Sequence, residues 1–264
     1  MNSYRWDARD YERNSAQQLQ WAQELLQKLD LHGNETTLDI GCGDGKVTAE
    51  IAALLPQGSI TGIDLSEEMI ALARQRFPSR AYPNLYFQKE DAARLPFEAE
   101  FTVIFSNAAL HWIRDNRPVL SGISRSLKPG GRILLQMGGK GNAAEIVAVL
   151  EKMIRSADWS KYFEEFSFPY GFFGPEEYRI WLDEAGLSPG RVELIPKDMV
   201  HQGRAGLLGW LRTTWLPYTQ RVPEQKRESF LDQLLDIYLI DHPLDGQGHA
   251  HVQMVRLEVE AVKT

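Results

Sequence analysis

Residues 37–45, Thr-Leu-Asp-Ile-Gly-Cys-Gly-Asp-Gly, constrain this chain more than any other stretch. Four residues with strand character run into three closely spaced glycines, and residues 46–55 then read as a helix stopped before Pro56. A glycine turn between a strand and a helix lets the backbone approach a ligand closely, and the free N–H groups of the following helix attract negative charge. The spacing separates the possible ligands. A phosphate loop needs four residues between its glycines followed by Gly-Lys-Ser/Thr. Here three residues separate Gly41 from Gly45, and Val47 follows Lys46. A dinucleotide fingerprint places its third glycine three positions after the second, where this chain has Lys46. The early Gly45 and the acid Asp39 ahead of the loop fit S-adenosylmethionine better than NAD.

The surrounding pattern supports an α/β reading. Strands are expected at 37–40, 59–63, 85–88, 101–105 and 132–136, with helices at 11–30, 46–55, 67–77 and 117–127. Ser66 reads as an N-cap, with Glu67 and Glu68 in the first turn where the helix dipole favours them. Such alternation over about 100 residues argues for a parallel sheet covered on both faces, and right-handed crossovers make it doubly wound. Further on, helices are expected at 142–156, 176–185 and 204–240, and strands at 191–196 and 251–262. The expected architecture is a Rossmann-like, mostly parallel seven-stranded sheet with a helical lid. Residues 1–140 form the N-terminal helix and cofactor-binding core. Segments 141–175 and 203–245 form the lid, and 176–202 and 246–264 complete the sheet. The lid is placed over the open sheet edge because ligands sit in strand-end crevices; a larger core is the plainer alternative.

Asp64 closes the second strand about 20 residues beyond the last loop glycine, where a carboxylate can accept both hydroxyls of a ribose. The third strand leads to Asp91 and Ala92, and an acid there could accept an adenine amino group. The fourth leads to Ser106 and Asn107, small and polar residues that would line the same crevice. Asp39, Gly41, Cys42, Gly43 and Gly45 complete the candidate cofactor contacts on the first strand and its loop.

Taken together these segments resemble class I S-adenosylmethionine-dependent methyltransferases. The resemblance rests on 38–45, Gly62-Ile63-Asp64-Leu65-Ser66, Met69, Asp91-Ala92, Asn107-Ala108-Ala109-Leu110-His111-Trp112 and Lys128-Pro129-Gly130-Gly131, and covers residues 36–137. It adds Leu65 and Met69 to the cofactor contacts. Within the class, the chain is similar to trans-aconitate methyltransferases and juvenile hormone acid methyltransferases. Trp6-Asp7 with Tyr11, and Tyr238, Pro243, Asp245-Gly246 and Arg256-Leu257, resemble the start and close of the first group. Tyr11, Gln18, Ala22 and Leu110-His111-Trp112-Ile113 match the second. That resemblance adds Tyr11 to the cofactor contacts and implies that Gln18 and Trp112 touch an acceptor carboxylate. Trans-aconitate enzymes usually carry an arginine near the position of Gln18, so the neutral amide is less suited to a tricarboxylate.

These readings imply S-adenosylmethionine as cofactor, S-adenosylhomocysteine as product, and a small-molecule acceptor that is a carboxylic acid. Two alternatives stay open: methylation of carbon, nitrogen or a hydroxyl with His111 as base, and a non-catalytic module that binds the cofactor and a protein partner. Trp210, Trp215, Phe172 and Phe173 are candidates for lining an acceptor pocket, with core packing as the alternative. The net charge of −7 disfavours a nucleic-acid partner. The lone Cys42 fits a reducing, cytoplasmic setting. No apolar run approaches the ~20 residues of a membrane span. His249 and His251 lack a third ligand at zinc-like spacing, so no metal is expected.

Overall fold

The computed structural model describes residues 16–264, with side chains from Trp21 onward. In chain order the elements are α1 (Ala16–Leu26), β1 (Thr36–Ile40), α2 (Lys46–Ala53), β2 (Ser59–Asp64), α3 (Glu67–Arg76), β3 (Leu85–Lys89), β4 (Phe101–Asn107), α4 (Arg117–Ser126), β5 (Leu127–Gly138), α5 (Ala144–Met153), α6 (Pro175–Glu184), β6 (Leu187–His201), α7 (Gly203–Thr214), α8 (Leu216–Thr219), α9 (Glu224–Asp241) and β7 (Ala250–Lys263).

Seven strands form one sheet in the order β3-β2-β1-β4-β5-β7-β6. The pairs from β3 through β5 are parallel, and β7 lies antiparallel to β5. The chain winds outward from β1 through β2 to β3, then returns to place β4 on the other side of β1. The strand order therefore reverses at the β1/β4 pair, and beyond the carboxyl ends of such a pair open α/β sheets bind their ligands.

Both faces of the sheet are covered, which explains the near-continuous apolar runs of the central strands. Ile104, Ile133 and Leu135 pack with Val119, Leu120 and Ile123 of α4 and Tyr178 and Leu182 of α6. Their neighbours Val103, Phe105 and Leu134 pack on the other face with Leu25 of α1, Ile51 of α2 and Ile70 of α3. Alternate residues serve opposite layers, as the two-residue period of a strand requires. Ser66 caps α3, its hydroxyl accepting from the Met69 N–H at 3.3 Å. At the β5/β7 pair the buried Glu258 accepts from Lys28 Nζ (2.6 Å), from Gln136 Nε2 (3.0 Å) and from Arg191. Burial alone would raise the pKa of this carboxyl, but these donors together hold it below its ordinary value.

Chain contacts separate two compact units. The first comprises Gln18–Lys140, Tyr170–Ile195 and Arg256–Thr264, and contains most of the sheet. The second, over Gly141–Pro169 and Pro196–Val255, is built on aromatic packing. Trp159 meets Phe230 edge-on at 5.0 Å, and Trp210 meets Trp215 at 5.9 Å. The helical stretch expected over 204–240 is divided into three helices. Pro217 lies in the first turn of α8 and Pro223 precedes α9, and proline can neither donate a helical N–H nor avoid clashing with the preceding turn. On α9, Asp232 and Asp236 pair with Arg204, while Glu224 and Glu228 face solvent. His251 sits between Asp198 (2.7 Å) and Asp245 (3.2 Å), and His249 lies 3.5 Å from Asp245. Among the described residues no helix is long and apolar enough to cross a membrane.

Candidate active site

The glycine loop leaves β1 and doubles back against β2. The N–H groups of Gly41 and Cys42 both donate to the Ile63 carbonyl, at 2.8 and 2.9 Å. Gly41 has φ +79, and a Cβ there would stand 2.1 Å from Ala109 Cβ. The loop therefore packs directly on the segment that follows β4, and only glycine fits. Gly43 has φ +55, yet a Cβ there would meet nothing within 4 Å. Its lack of a side chain preserves open space beside the loop. Gly45 precedes α2, next to the Phe87 ring. Cys42 is buried, which pushes its thiol well above the ordinary value and keeps it neutral.

Two carboxylates stand at the tips of adjacent strands. Asp64 Oδ2 accepts from the Gly43 N–H at 3.1 Å, and Oδ1 from the Ser66 N–H at 2.8 Å. These bonds tie the β2 tip to the loop and fix the carboxylate at the crevice edge. Burial raises its pKa, while the N–H donors oppose that shift. The exposed Leu65 follows it, and Met69 is buried one turn into α3. Asp39, on the neighbouring strand, accepts from Thr48 Oγ1 at 2.7 Å and is buried. Burial, with the Asp64 charge adding to it against the Thr48 bond, raises Asp39 to about 7.

The Asp39 shift sets a pH dependence of stability. Between the ordinary 3.8 and about 7 the folded chain keeps a proton that the unfolded chain has released. This contribution is thus fully present below the unfolded value and is lost as pH rises through about 7. Asp39→Asn cannot ionise and should melt higher than the unaltered chain at pH 8, with little difference at pH 4. A rise of this size corresponds to at most ~4 kcal/mol. Melting curves at the two pH values check this, and equal differences at both would contradict it.

The tips of β3 and β4 complete the row. Asp91 follows β3 and accepts from the Ala93 N–H at 2.9 Å, and the adjoining Ala92 packs against the core. Ser106 is fully buried and donates to the Ile40 carbonyl at 2.7 Å, locking the β4 tip to the β1 tip. Asn107 ends β4, and its Oδ1 is buried without a hydrogen-bond partner. A buried amide oxygen left unpaired is costly, so this atom is suited to a ligand donor. Unspent acceptors at Asn107 and Asp64 and the open space at Gly43 together fit a nucleoside carrying an ammonium group.

Beyond Asn107 the chain makes a single helical turn, Leu110–Trp112. His111 Nδ1 accepts from the Gly138 N–H at 3.4 Å, so the ring proton belongs on Nε2. Burial, with the Arg256 charge adding to it, pushes this imidazole down to about 3. As placed, His111 presents a neutral N–H and is a weak base. Trp112 meets Tyr170 edge-on at 5.2 Å, and Tyr170 stacks on Phe172 at 5.1 Å. Phe172 lies 6.0 Å from the His111 ring, whereas Phe173 packs into the core against Trp181. Trp210 and Trp215 are buried within the second unit.

Gln18 lies on α1 one turn before the buried Trp21 and Ala22; its side chain, and all of Tyr11, fall outside the described residues. Arg256, matched in the sequence only as part of the closing motif and not as a site residue, pairs across the sheet with Gly138, lies 5.7 Å over the Trp21 ring and acts on His111. The available signal was a buried cation interrupting the apolar alternation of the last strand. Tyr170 was passed over as one aromatic in a segment rich in them.

Residues 31–186 match a family model described as a methyltransferase domain. The chain is 32% identical over 258 residues to an uncharacterized methyltransferase of Schizosaccharomyces pombe, covering 95% of this chain and 96% of that protein. It is 30% identical over 263 residues to the trans-aconitate 2-methyltransferase of Shigella dysenteriae, covering 98% of each. Among solved structures it resembles phosphoethanolamine N-methyltransferase 2 of Haemonchus contortus, in complex with phosphomonomethylethanolamine and S-adenosylhomocysteine. The TM-score is 0.59 at 21% identity, over 97% of this chain and 56% of that one, a likeness of fold. The chain therefore belongs to the S-adenosylmethionine-dependent methyltransferases of Rossmann-like fold.

Proposed function

We propose that the chain transfers a methyl group to a carboxylate oxygen of a small acid. The observation that carries this reading is the state of His111. It is the one titratable side chain of the Leu110–Trp112 turn, and it is held neutral with its proton on Nε2. A carboxylate is ionised at neutral pH, with a reference pKa near 4, so it needs no base. It needs neutral donors that orient one oxygen and leave the other free to attack. An imidazole N–H and an indole N–H, from His111 and Trp112, suit that task. Gln18 would add an amide donor from α1. The trans-aconitate 2-methyltransferases among the relatives add support for an acid acceptor.

When bound, S-adenosylmethionine supplies its sulfonium methyl carbon as the electrophile. Asp64 would accept the ribose hydroxyls, Asp91 would face the adenine amino group and Asn107 Oδ1 would accept from the ammonium group. Asp39, Gly41, Cys42, Gly43, Gly45, Leu65, Met69, Ala92 and Ser106 shape the bed around them. Holding the acceptor oxygen in line with the methyl group and the sulfur is the main work of these residues, and orientation of this kind can contribute roughly 7–11 kcal/mol. The acceptor carboxylate would supply the electron pair of the new C–O bond, the C–S pair would leave with sulfur, and the residues of the chain would have no proton to move.

Incubation with labelled S-adenosylmethionine and a panel of mono-, di- and tricarboxylic acids should yield labelled methyl esters that mild base releases as methanol. Base-stable products would reject the reading and favour carbon, nitrogen or hydroxyl methylation.

A further inference from the structure

Asn116 occupies the N-cap position of α4, where asparagine ordinarily accepts a bond from the first turn of its own helix. It makes no such bond. Its fully buried side chain turns inward instead, and Nδ2 donates to the carbonyls of Leu110 (3.3 Å) and Ile113 (2.8 Å). One amide thus spans the whole turn that carries His111 and Trp112. Its oxygen accepts from the hydroxyl of Tyr178, which reaches across from α6, is fully buried, and also lies 3.1 Å from Met137 Sδ. Met137 precedes Gly138, the residue whose N–H holds His111. The turn is therefore clamped at its backbone by Asn116 and at its imidazole by β5, and Tyr178 touches both supports.

We propose that Asn116 and Tyr178 are positioning residues for methyl transfer: a buried tyrosine–asparagine brace that fixes the Leu110–Ile113 turn and so sets the direction of the His111 and Trp112 donors. The proposal rests on the reading that this turn faces the acceptor. Neither residue touches a reactant. A purely structural pair would affect stability alone, whereas a positioning brace also affects the donors it orients. An amide held in a low-dielectric site by two carbonyls and a phenol has little freedom to drift. Small misplacement of an orienting group can lower turnover by up to about 100-fold.

Tyr178→Phe keeps the packed ring and removes the hydroxyl. Below its melting transition the variant should bind S-adenosylhomocysteine within about twofold of the unaltered chain. Turnover of whichever acceptor the labelling panel identifies should fall by about tenfold or more at saturating cofactor. Nitrogen-resolved NMR of the imidazoles, with His111 assigned through His111→Gln, supplies a readout that needs no acceptor. The unaltered chain should show His111 protonated on Nε2 alone from pH 5 to 9. In Tyr178→Phe the ring should begin to titrate in that range as water reaches it. A variant that only melts lower, with turnover and His111 signals unchanged, would overturn the proposal. Should Tyr178→Phe fail to fold, the Asn116 side-chain amide of the unaltered chain can be read directly. Slow exchange with solvent is expected, and rapid exchange would overturn the brace. Failure of acid methylation alone would leave the His111 and Asn116 signals as described.

Discussion

Replacing Asp64 with alanine is expected to weaken S-adenosylhomocysteine binding by about 100-fold or more at pH 8. The carboxylate is held at the β2 tip by the Gly43 and Ser66 N–H groups, and an ionised carboxylate has about four lone-pair sites in all. Two therefore stay available to the ribose hydroxyls. Hydrogen bonds to a charged group contribute ~1.5–3 kcal/mol each, so losing a pair costs at least two powers of ten. The same change releases the Gly43 N–H and loosens the loop. Asp64→Asn, which keeps one acceptor oxygen but no charge, should fall between the two. Calorimetric titration of each variant, with melting curves as a check on folding, decides the matter. Equal affinities for Asp64→Ala and the unaltered chain would remove this residue from the site.

The second large effect is a contrast between two glycines two residues apart. Gly41→Ala should cost several kcal/mol of stability, because its Cβ would overlap Ala109 Cβ at 2.1 Å on a backbone at φ +79. For a chain of this size each kcal/mol lowers the melting temperature by roughly 2–4 °C, so a fall of about 10 °C is expected. Gly43→Ala meets no atom within 4 Å, and its φ of +55 carries a penalty of only about 1–2 kcal/mol. It should fold nearly as well as the unaltered chain. Its new methyl group stands in the space proposed for the nucleoside, and cofactor affinity should drop by at least about tenfold. Thermal melts and titrations on the pair separate packing from binding. A Gly43→Ala variant with unchanged affinity would show that the cofactor lies elsewhere.

Much of the sheet was legible because its signals are local. The strands flanking the glycine loop alternate with amphipathic helices, and Ser66 with its two glutamates marks a helix start that the structure reproduces. The outer strands were harder to read. β6 runs over Leu187–His201 although only 191–196 was expected, because Pro189, Gly190 and Pro196 resemble strand breaks and its burial does not alternate cleanly. The helical stretch 204–240 was read through two prolines that divide it.

In the candidate site, residues tied to one strand tip could be named from spacing. Those that depend on distant partners could not. Asn116 meets Tyr178 across 62 residues of sequence, and no periodicity links them. Arg256 acquires its place beside His111 only when β7 pairs with β5. The residue type of His111 suggests a possible base, whereas the features that favour a donor instead, its bond to Gly138 and its burial, exist only in the folded chain.

The central claim is that a nucleoside sulfonium lies across the tips of β1 and β2. Its most direct test is calorimetric titration of the unaltered chain with S-adenosylhomocysteine. One saturable site per chain is expected, whereas a flat trace at cofactor concentrations well above those of a cell would contradict the account.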